Sequence, residues 1–180
     1  MPRYVALFRG INVGKAKRIA MADLRVLLGK LGYTGIATLL NSGNAVFTAD
    51  ADTAARHAER IRSAVAKKLG VDALVVVKSG KEIAAIVMGN ALEPLATDHS
   101  RLLVAMTNDG KALSALKPLA QRTWNCDKVH LGKQAAYLWC ANGILESEAA
   151  DVLLRGLGAG GTTRNWATLL KIHALMTGGS

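Results

Sequence analysis

The sequence predicts an α+β fold: two ferredoxin-like halves of βαββαβ type with antiparallel sheets, followed by extra C-terminal helices. Three observations lead there. Short apolar runs and longer stretches of helical spacing follow the order βαββαβ before residue 90, and the β-first order starts again near residue 102. The chain has 180 residues, 51% of them hydrophobic, which at this size is enough to bury a core.

Arg3 to Arg9 alternates and is rich in Tyr, Val, Leu and Phe, so it reads as a strand, and Gly10 to Ile19 is a basic, glycine-containing loop. Leu24, Leu27, Leu28 and Leu31 fall on one helical face, with Gly32 as the stop. Tyr33 to Leu40 and Ala45 to Thr48 are β-type runs joined by Asn41-Ser42-Gly43-Asn44, residues that suit a tight hairpin turn. Between Asp52 and Leu69, the stripe Ala54, Ala58, Ile61, Val65, Leu69 marks an amphipathic helix. Ala73 to Val77 is almost continuously apolar, as a strand buried on both faces would be. Ser79-Gly80-Lys81-Glu82 then fits a capping box opening a helix to about Met88.

The N-terminal half is therefore expected over residues 1–89, with residues 90–99, which contain Pro94 and no period, as linker and residues 100–180 as the C-terminal half. In that half, Leu102 to Thr107 reads as a strand, Asn108-Asp109-Gly110 as a turn, and a short helix runs to Lys117 before Pro118. Trp124 to Ala141 reads as a hairpin reversing at Gly132-Lys133, which would set Cys126 opposite Cys140 as thiols. Glu146 to Arg155 and Thr163 to Met176 carry helical spacing and are separated by glycines, with a Thr capping the last helix and Arg164 and Asn165 in its first turn.

Composition excludes a collagen-like chain, a disulfide scaffold and a disordered tail, since there are 18 Gly, only 3 Pro and only 2 Cys. The apolar run Tyr4 to Phe8 is too short for a signal-peptide core and no run could span a bilayer, so a cytoplasmic protein without membrane association is expected. The net charge of +10 invites an anionic partner. Half of the excess lies in residues 1–50, with seven basic and two acidic side chains. Arg9, Lys15, Lys17 and Arg18 crowd the loop after the first strand, where backbone N–H groups around Gly10 and Gly14 can also face an anion.

That loop is neither a P-loop nor a dinucleotide fingerprint: three residues separate Gly10 from Gly14 where a P-loop needs four, and Ala16 follows Lys15 where Ser or Thr is needed. His57, His99, His130 and His173 occur singly, the cysteines lack metal spacing, and no nucleophile elbow or paired carboxylates stand out, so no metal, no cofactor and no assignable reaction is expected. Asn41, Ser42 and Asn44 are ordinary turn residues that can also present amides or a hydroxyl to a ligand. An Arg at position 164, in a first helical turn, would oppose the helix dipole, which points to an anion or acidic partner there.

Three segments, Arg9-Gly10-Ile11-Asn12-Val13-Gly14, Asn41-Ser42-Gly43-Asn44-Ala45-Val46-Phe47 and Thr163-Arg164-Asn165-Trp166-Ala167-Thr168-Leu169-Leu170-Lys171, together resemble the bacterial domain-of-unknown-function family numbered 1697. The resemblance covers essentially the whole chain and implies a two-part α+β fold of ferredoxin-like halves, with no established activity. The chain departs from the family pattern at Lys15, where a second Gly is usual, and at Glu148, where Lys would follow Ser147.

The function expected is binding of a small phosphate- or carboxylate-bearing ligand. Arg9, Lys15 and Arg164 would supply charge-assisted hydrogen bonds, and Asn12, Asn41, Ser42, Asn44 and Asn165 would orient the ligand. Two alternatives stand beside it. By analogy with acylphosphatases, Arg9 would grip a phosphoryl group while Asn41 positions water. As an RNA-binding sheet, the chain would have to use Tyr4, Phe8 and Phe47, a thin platform given 4% aromatic residues. A homo-oligomer is left open.

Overall fold

The computed structural model describes residues 1–178, and the chain divides into two compact units: residues 1–83 together with the chain from Ile172 on, and residues 84–171. In the first, β1 (Arg3–Phe8), α1 (Met21–Lys30), β2 (Thr34–Leu39), β3 (Asn44–Thr48), α2 (Ala54–Leu69) and β4 (Val75–Ser79) form an antiparallel sheet of order β2-β3-β1-β4 with two helices. Tyr4, Ala6 and Phe8 of β1 share a core with Leu24 and Leu28 of α1 and Ile61 and Val65 of α2. This is the face the helical stripes predict. Val5, Leu7, Val46 and Val76, which alternate onto the other face, are buried as well. β4 is thus an edge strand in hydrogen bonding yet enclosed on both faces, as its valine run requires.

The helix ends follow local chemistry. Thr53 Oγ1 accepts the Arg56 amide at 3.2 Å to open α2, and Gly70, at φ +68°, closes it in a left-handed conformation. The capping box opening α3 (Gly80–Met88) is present: the Ser79 amide donates to Glu82 Oε2 at 2.8 Å and the Glu82 amide to Ser79 Oγ at 3.3 Å.

In the second unit, β5 (Leu102–Thr107), α4 (Gly110–Ser114), α5 (Lys117–Gln121), β6 (Lys128–Leu131), β7 (Ala136–Trp139), α6 (Glu148–Leu157) and β8 (Gly161–Asn165) build a sheet of order β6-β7-β5-β8, the same order as the first. α7 (Trp166–Thr177) follows. Leu103, Ala105, Leu113, Trp124, Leu138 and Leu153 are among its core residues. The equivalence of the two sheets extends to register. Val5 pairs with Lys78 and Val104 with Arg164, so each last strand carries a buried cation one residue before the residue that caps the next helix.

Two expectations are corrected here. The residues that follow the glycine-rich stretch, expected to open the last helix, are the strand β8, so Arg164 and Asn165 lie in a strand rather than a first helical turn, and Asn165, not a Thr, caps α7 by accepting the Thr168 amide at 2.9 Å. GTTRN lacks apolar alternation, and β8 is held instead by its pairing with β5, against which it lies close: a Cβ on Gly161 would sit 2.5 Å from the Met106 carbonyl oxygen. The second correction concerns the hairpin. Lys128 pairs with Trp139 and Val129 with Leu138, a register one residue off that expected, so Cys126 and Cys140 are not opposite; Cys126 is exposed and Cys140 buried. Among the described residues no helix is long and apolar enough to cross a membrane.

Candidate functional site

The loop after β1 and the β2–β3 turn meet at one end of the first sheet. The Phe8 amide donates to the Gly43 carbonyl at 2.9 Å and the Arg9 amide to Leu74 at 3.0 Å, after which the chain leaves the sheet. One side chain makes most of the contacts that hold the loop. Asn12, at φ +57°, donates its Nδ2 to Ile19 O at 2.9 Å and Asn41 O at 2.7 Å and accepts the Ile19 amide on Oδ1 at 2.8 Å. Its own amide donates to Lys17 O at 3.0 Å, closing the loop. Asn is one of the few side chains that tolerate a left-handed backbone, and its two-sided amide satisfies both polar groups of Ile19. On the turn, Gly43 at φ +90° lies where a Cβ would come within 2.6 Å of Ile11 Cδ1 and 2.8 Å of Phe8 Cβ, so only glycine lets the turn seat against the loop.

Between these segments lies a cleft of about 480 Å³ lined by Asn12, Arg18, Ile19, Ala20, Asp23 and Asn41. Arg18 is exposed, with Nη1 donating to Gly14 O at 3.0 Å. The N-terminus of α1 opens onto the cleft through Ala20, whose side chain cannot cap the helix. Asp23, in the first turn, is the carboxylate on the wall.

The residues expected to bind a ligand fall into different roles. Arg9 is half-buried at the end of β1; Lys15, Asn41 and Ser42 are exposed on the loop and turn. Asn12 is committed to holding the loop, and Asn44, fully buried, donates Nδ2 to Leu39 O at 2.7 Å and Ser42 Oγ at 3.3 Å. Arg164 and Asn165 belong to the second unit. Arg164 is buried there, donating Nη1 to Thr162 Oγ1 at 3.1 Å and Thr163 O at 2.8 Å, and burial pulls its pKa down to about 10, which leaves it charged at neutral pH. Arg18 belongs to the basic cluster that the sequence places on this loop, whereas no charge cluster or motif in the sequence marks the α1 terminus or Asp23. The available signal was Ala20 standing where a capping Ser, Thr, Asp or Asn is usual.

A second polar cluster is internal. His57 and Tyr33 are 5% and 4% exposed, with Tyr33 Oη and His57 Nδ1 2.9 Å apart among the rings of Tyr4 and Phe47. Burial lowers the His57 pKa, with the Asp52 charge pulling the other way, and burial raises that of Tyr33 against the charge of Arg60. Tyr4, Phe8 and Phe47 are core residues here, so they offer bases no stacking surface. In the second unit the buried Cys140 thiol is pushed up to about 11 by burial, opposed by a Ser147 hydrogen bond. Among the described residues no group of three or more His, Cys, Asp or Glu is placed to hold a metal ion.

Comparison with known proteins places the chain. The conserved bacterial protein SP0830 from Streptococcus pneumoniae has a solved structure that matches 97% of this chain and 98% of its own with a TM-score of 0.80; at 23% identity this establishes the shared α+β fold alone. No curated protein matches. The family model described as "protein of unknown function (DUF1697)" matches residues 1–137, a stretch that contains both the Arg9–Gly14 loop and the Asn41–Phe47 hairpin. On that match the chain belongs to the DUF1697 family.

Proposed function

We propose that the first unit binds a small anion, the phosphate or carboxylate group of a larger ligand, in the cleft between the loop after β1 and the β2–β3 turn. The observation that supports this most strongly is where the backbone is strained. Among the described residues three non-glycines have positive φ, Asn12 (+57°), Lys17 (+50°) and Leu40 (+61°), and all three lie on the two segments flanking the cleft. A left-handed backbone costs a non-glycine residue about 1 kcal/mol, less for Asn12, and such residues cluster at binding sites. The charge there is suited to an anion. Arg18 lines the cleft opposite a single carboxylate, Asp23, on a loop that also carries Lys15 and Lys17, and the α1 terminus presents backbone N–H groups whose capping residue has no side-chain acceptor. A guanidinium has five N–H donors, so Arg18 can grip an anion in a fork while still holding Gly14. Asn12 keeps the loop in shape, and the exposed Asn41 carboxamide orients the ligand.

A panel of inorganic phosphate, nucleotides and organic acids in a thermal-shift assay tests this. A binding anion at ten times its Kd adds about 1.4 kcal/mol, which is a rise of roughly 3–6 °C for a chain of this size. Arg18→Ala and Arg9→Ala should abolish or blunt the response. If no anion shifts the wild-type protein, or both variants respond as it does, the proposal fails.

Because Asn41 lines the same cleft as Arg18, acyl-phosphate hydrolysis is the second reading, with arginine gripping the phosphoryl group and Asn41 positioning water. Turnover of an acyl phosphate that Asn41→Ala leaves unchanged would remove it.

A further inference from the structure

The cleft between the loop after β1 and the β2–β3 turn carries both signs of charge, since Arg18 and Asp23 line it together. Neither charge is used up by the protein. Arg18 is in no ion pair, and its one hydrogen bond, from Nη1 to Gly14 O, ties it to its own loop and leaves the remaining guanidinium N–H groups unengaged. The Asp23 carboxylate makes neither a hydrogen bond nor an ion pair among the described residues, with Arg18 or with any other group. Lys67 and Lys68 of α2 share with Asp23 the lining of the neighbouring groove between α1 and α2, yet neither is paired with it.

The place of Asp23 in the first turn of α1 accounts for its sign, because a carboxylate there answers the helix dipole. It does not account for the missing hydrogen bond. Asp23 is the third residue of α1, and from the third position of α3 the Glu82 carboxylate reaches back to accept the Ser79 amide at 2.8 Å. Asp23 makes no such bond to the Ala20 amide and remains a carboxylate on the cleft wall. A plain anion held by Arg18 would meet like charge there, whereas a ligand that also carries a cation would satisfy both side chains.

We infer that the ligand of this cleft is a small zwitterion, a phosphate or carboxylate joined by a short chain to a primary ammonium, with its anionic end on Arg18 and its ammonium on Asp23. This rests on the anion reading of the same cleft and narrows it to a chemical class. The exposed Asn41 carboxamide, a donor and an acceptor in one group, can serve either end. The cleft volume falls in the range of small-ligand sites, and both ends of the ligand gain charge-assisted hydrogen bonds. Free amino acids and aminoalkyl phosphates share this chemistry.

Calorimetric titration of the full chain at constant ionic strength with two matched pairs tests the inference: phosphoethanolamine against ethyl phosphate, and γ-aminobutyrate against butyrate. The ammonium should tighten binding about three- to five-fold in one pair or both, as expected of an exposed ion pair, and the pair that shows it distinguishes the phosphate from the carboxylate source. Asp23→Asn should erase that preference, weakening the zwitterion while binding the plain anion more tightly than wild type does, and Asp23→Glu should restore it. Ethanolamine alone should bind at least about ten-fold more weakly than the preferred zwitterion, because it leaves Arg18 unanswered. Asp23 is at the surface, and a cooperative thermal transition in each variant verifies folding. Anions that bind without any gain from the ammonium, or a gain that Asp23→Asn leaves intact, would overturn this inference and leave the anion reading standing, whereas no binding of any probe would overturn both.

Discussion

Asn12 holds the loop on which the proposed anion binding depends, and replacing it gives a graded series. Asn12→Ala removes three side-chain hydrogen bonds, two to Ile19 and one to Asn41, and leaves a residue at φ +57° that has no side-chain polar group to support it. At about 1 kcal/mol per bond, discounted because water can reach the Asn41 carbonyl, and with about 1 kcal/mol for the left-handed backbone, the cost is roughly 2–4 kcal/mol. The melting temperature should fall by about 5–15 °C. Asn12→Gly loses the same bonds without the backbone penalty and should recover about 1 kcal/mol. Asn12→Asp keeps the acceptor for the Ile19 amide but turns a carboxylate oxygen toward two carbonyls. At pH 7 it should be at least as destabilised as Asn12→Ala, regaining stability as pH falls toward about 4, because the two carbonyls hold the folded carboxyl's pKa above its unfolded value. Urea unfolding followed by circular dichroism reads all three. An alanine variant within 0.5 kcal/mol of wild type, or a glycine variant no better than alanine, would refute the role given to Asn12.

Other outcomes follow from single contacts. Because burial holds the His57 pKa below its ordinary 6.5, the unfolded chain takes up the proton first; stability should be full above about pH 6.5 and decline as pH falls from there toward the folded-state value. Thermal melts from pH 5 to 8 should show that decline in wild type and not in a stably folded His57→Gln variant, and a flat wild-type profile would contradict it. Gly161→Ala, which sets a methyl 2.5 Å from the Met106 carbonyl, should cost about 1–3 kcal/mol, more than Gly10→Ala, which enters open space at φ +68° and carries only a backbone penalty of about 1 kcal/mol. Equal melting temperatures for the two variants would be inconsistent with the close approach of β8 to β5. A thiol reagent at pH 8 should modify the exposed Cys126 quickly and Cys140, whose thiol is buried and pushed up to about 11, only on unfolding. Two fast-reacting thiols would contradict that assignment.

Much of the first unit is legible in the sequence because its periodicities are clean. The leucines of α1 and the Ala54-to-Leu69 stripe of α2 each choose one face, and Ser79 with Glu82 announces α3 through a reciprocal pair that the structure contains. β8 is hidden for the opposite reason. An edge strand made of Gly161, Thr162, Thr163, Arg164 and Asn165 has neither alternation nor apolar content, and its place is set by tertiary contact with β5. The hairpin register slipped by one because Gly132 and Lys133 do not fix the reversal as an Asn-Gly turn would. The cleft is legible only in part. Arg9, Lys15 and Asn41 stand out by charge and turn chemistry, but nothing in a linear sequence distinguishes an asparagine that faces a ligand from Asn12 or Asn44, whose amides are consumed in holding the backbone. Nor does it tell that Arg164, read as a misfit in a helix, is a buried strand residue matching Lys78 of the other unit.

Backbone amide shifts in a ¹⁵N-labelled sample, followed while inorganic phosphate or a phosphate-bearing ligand is added, test anion binding at the loop and turn most directly. Saturable changes concentrated at residues 10–22 and 40–44, and lost in Arg18→Ala, are predicted. Changes spread over exposed lysines throughout the chain without saturation, or a wild-type spectrum indistinguishable from that of Arg18→Ala through the titration, would contradict it.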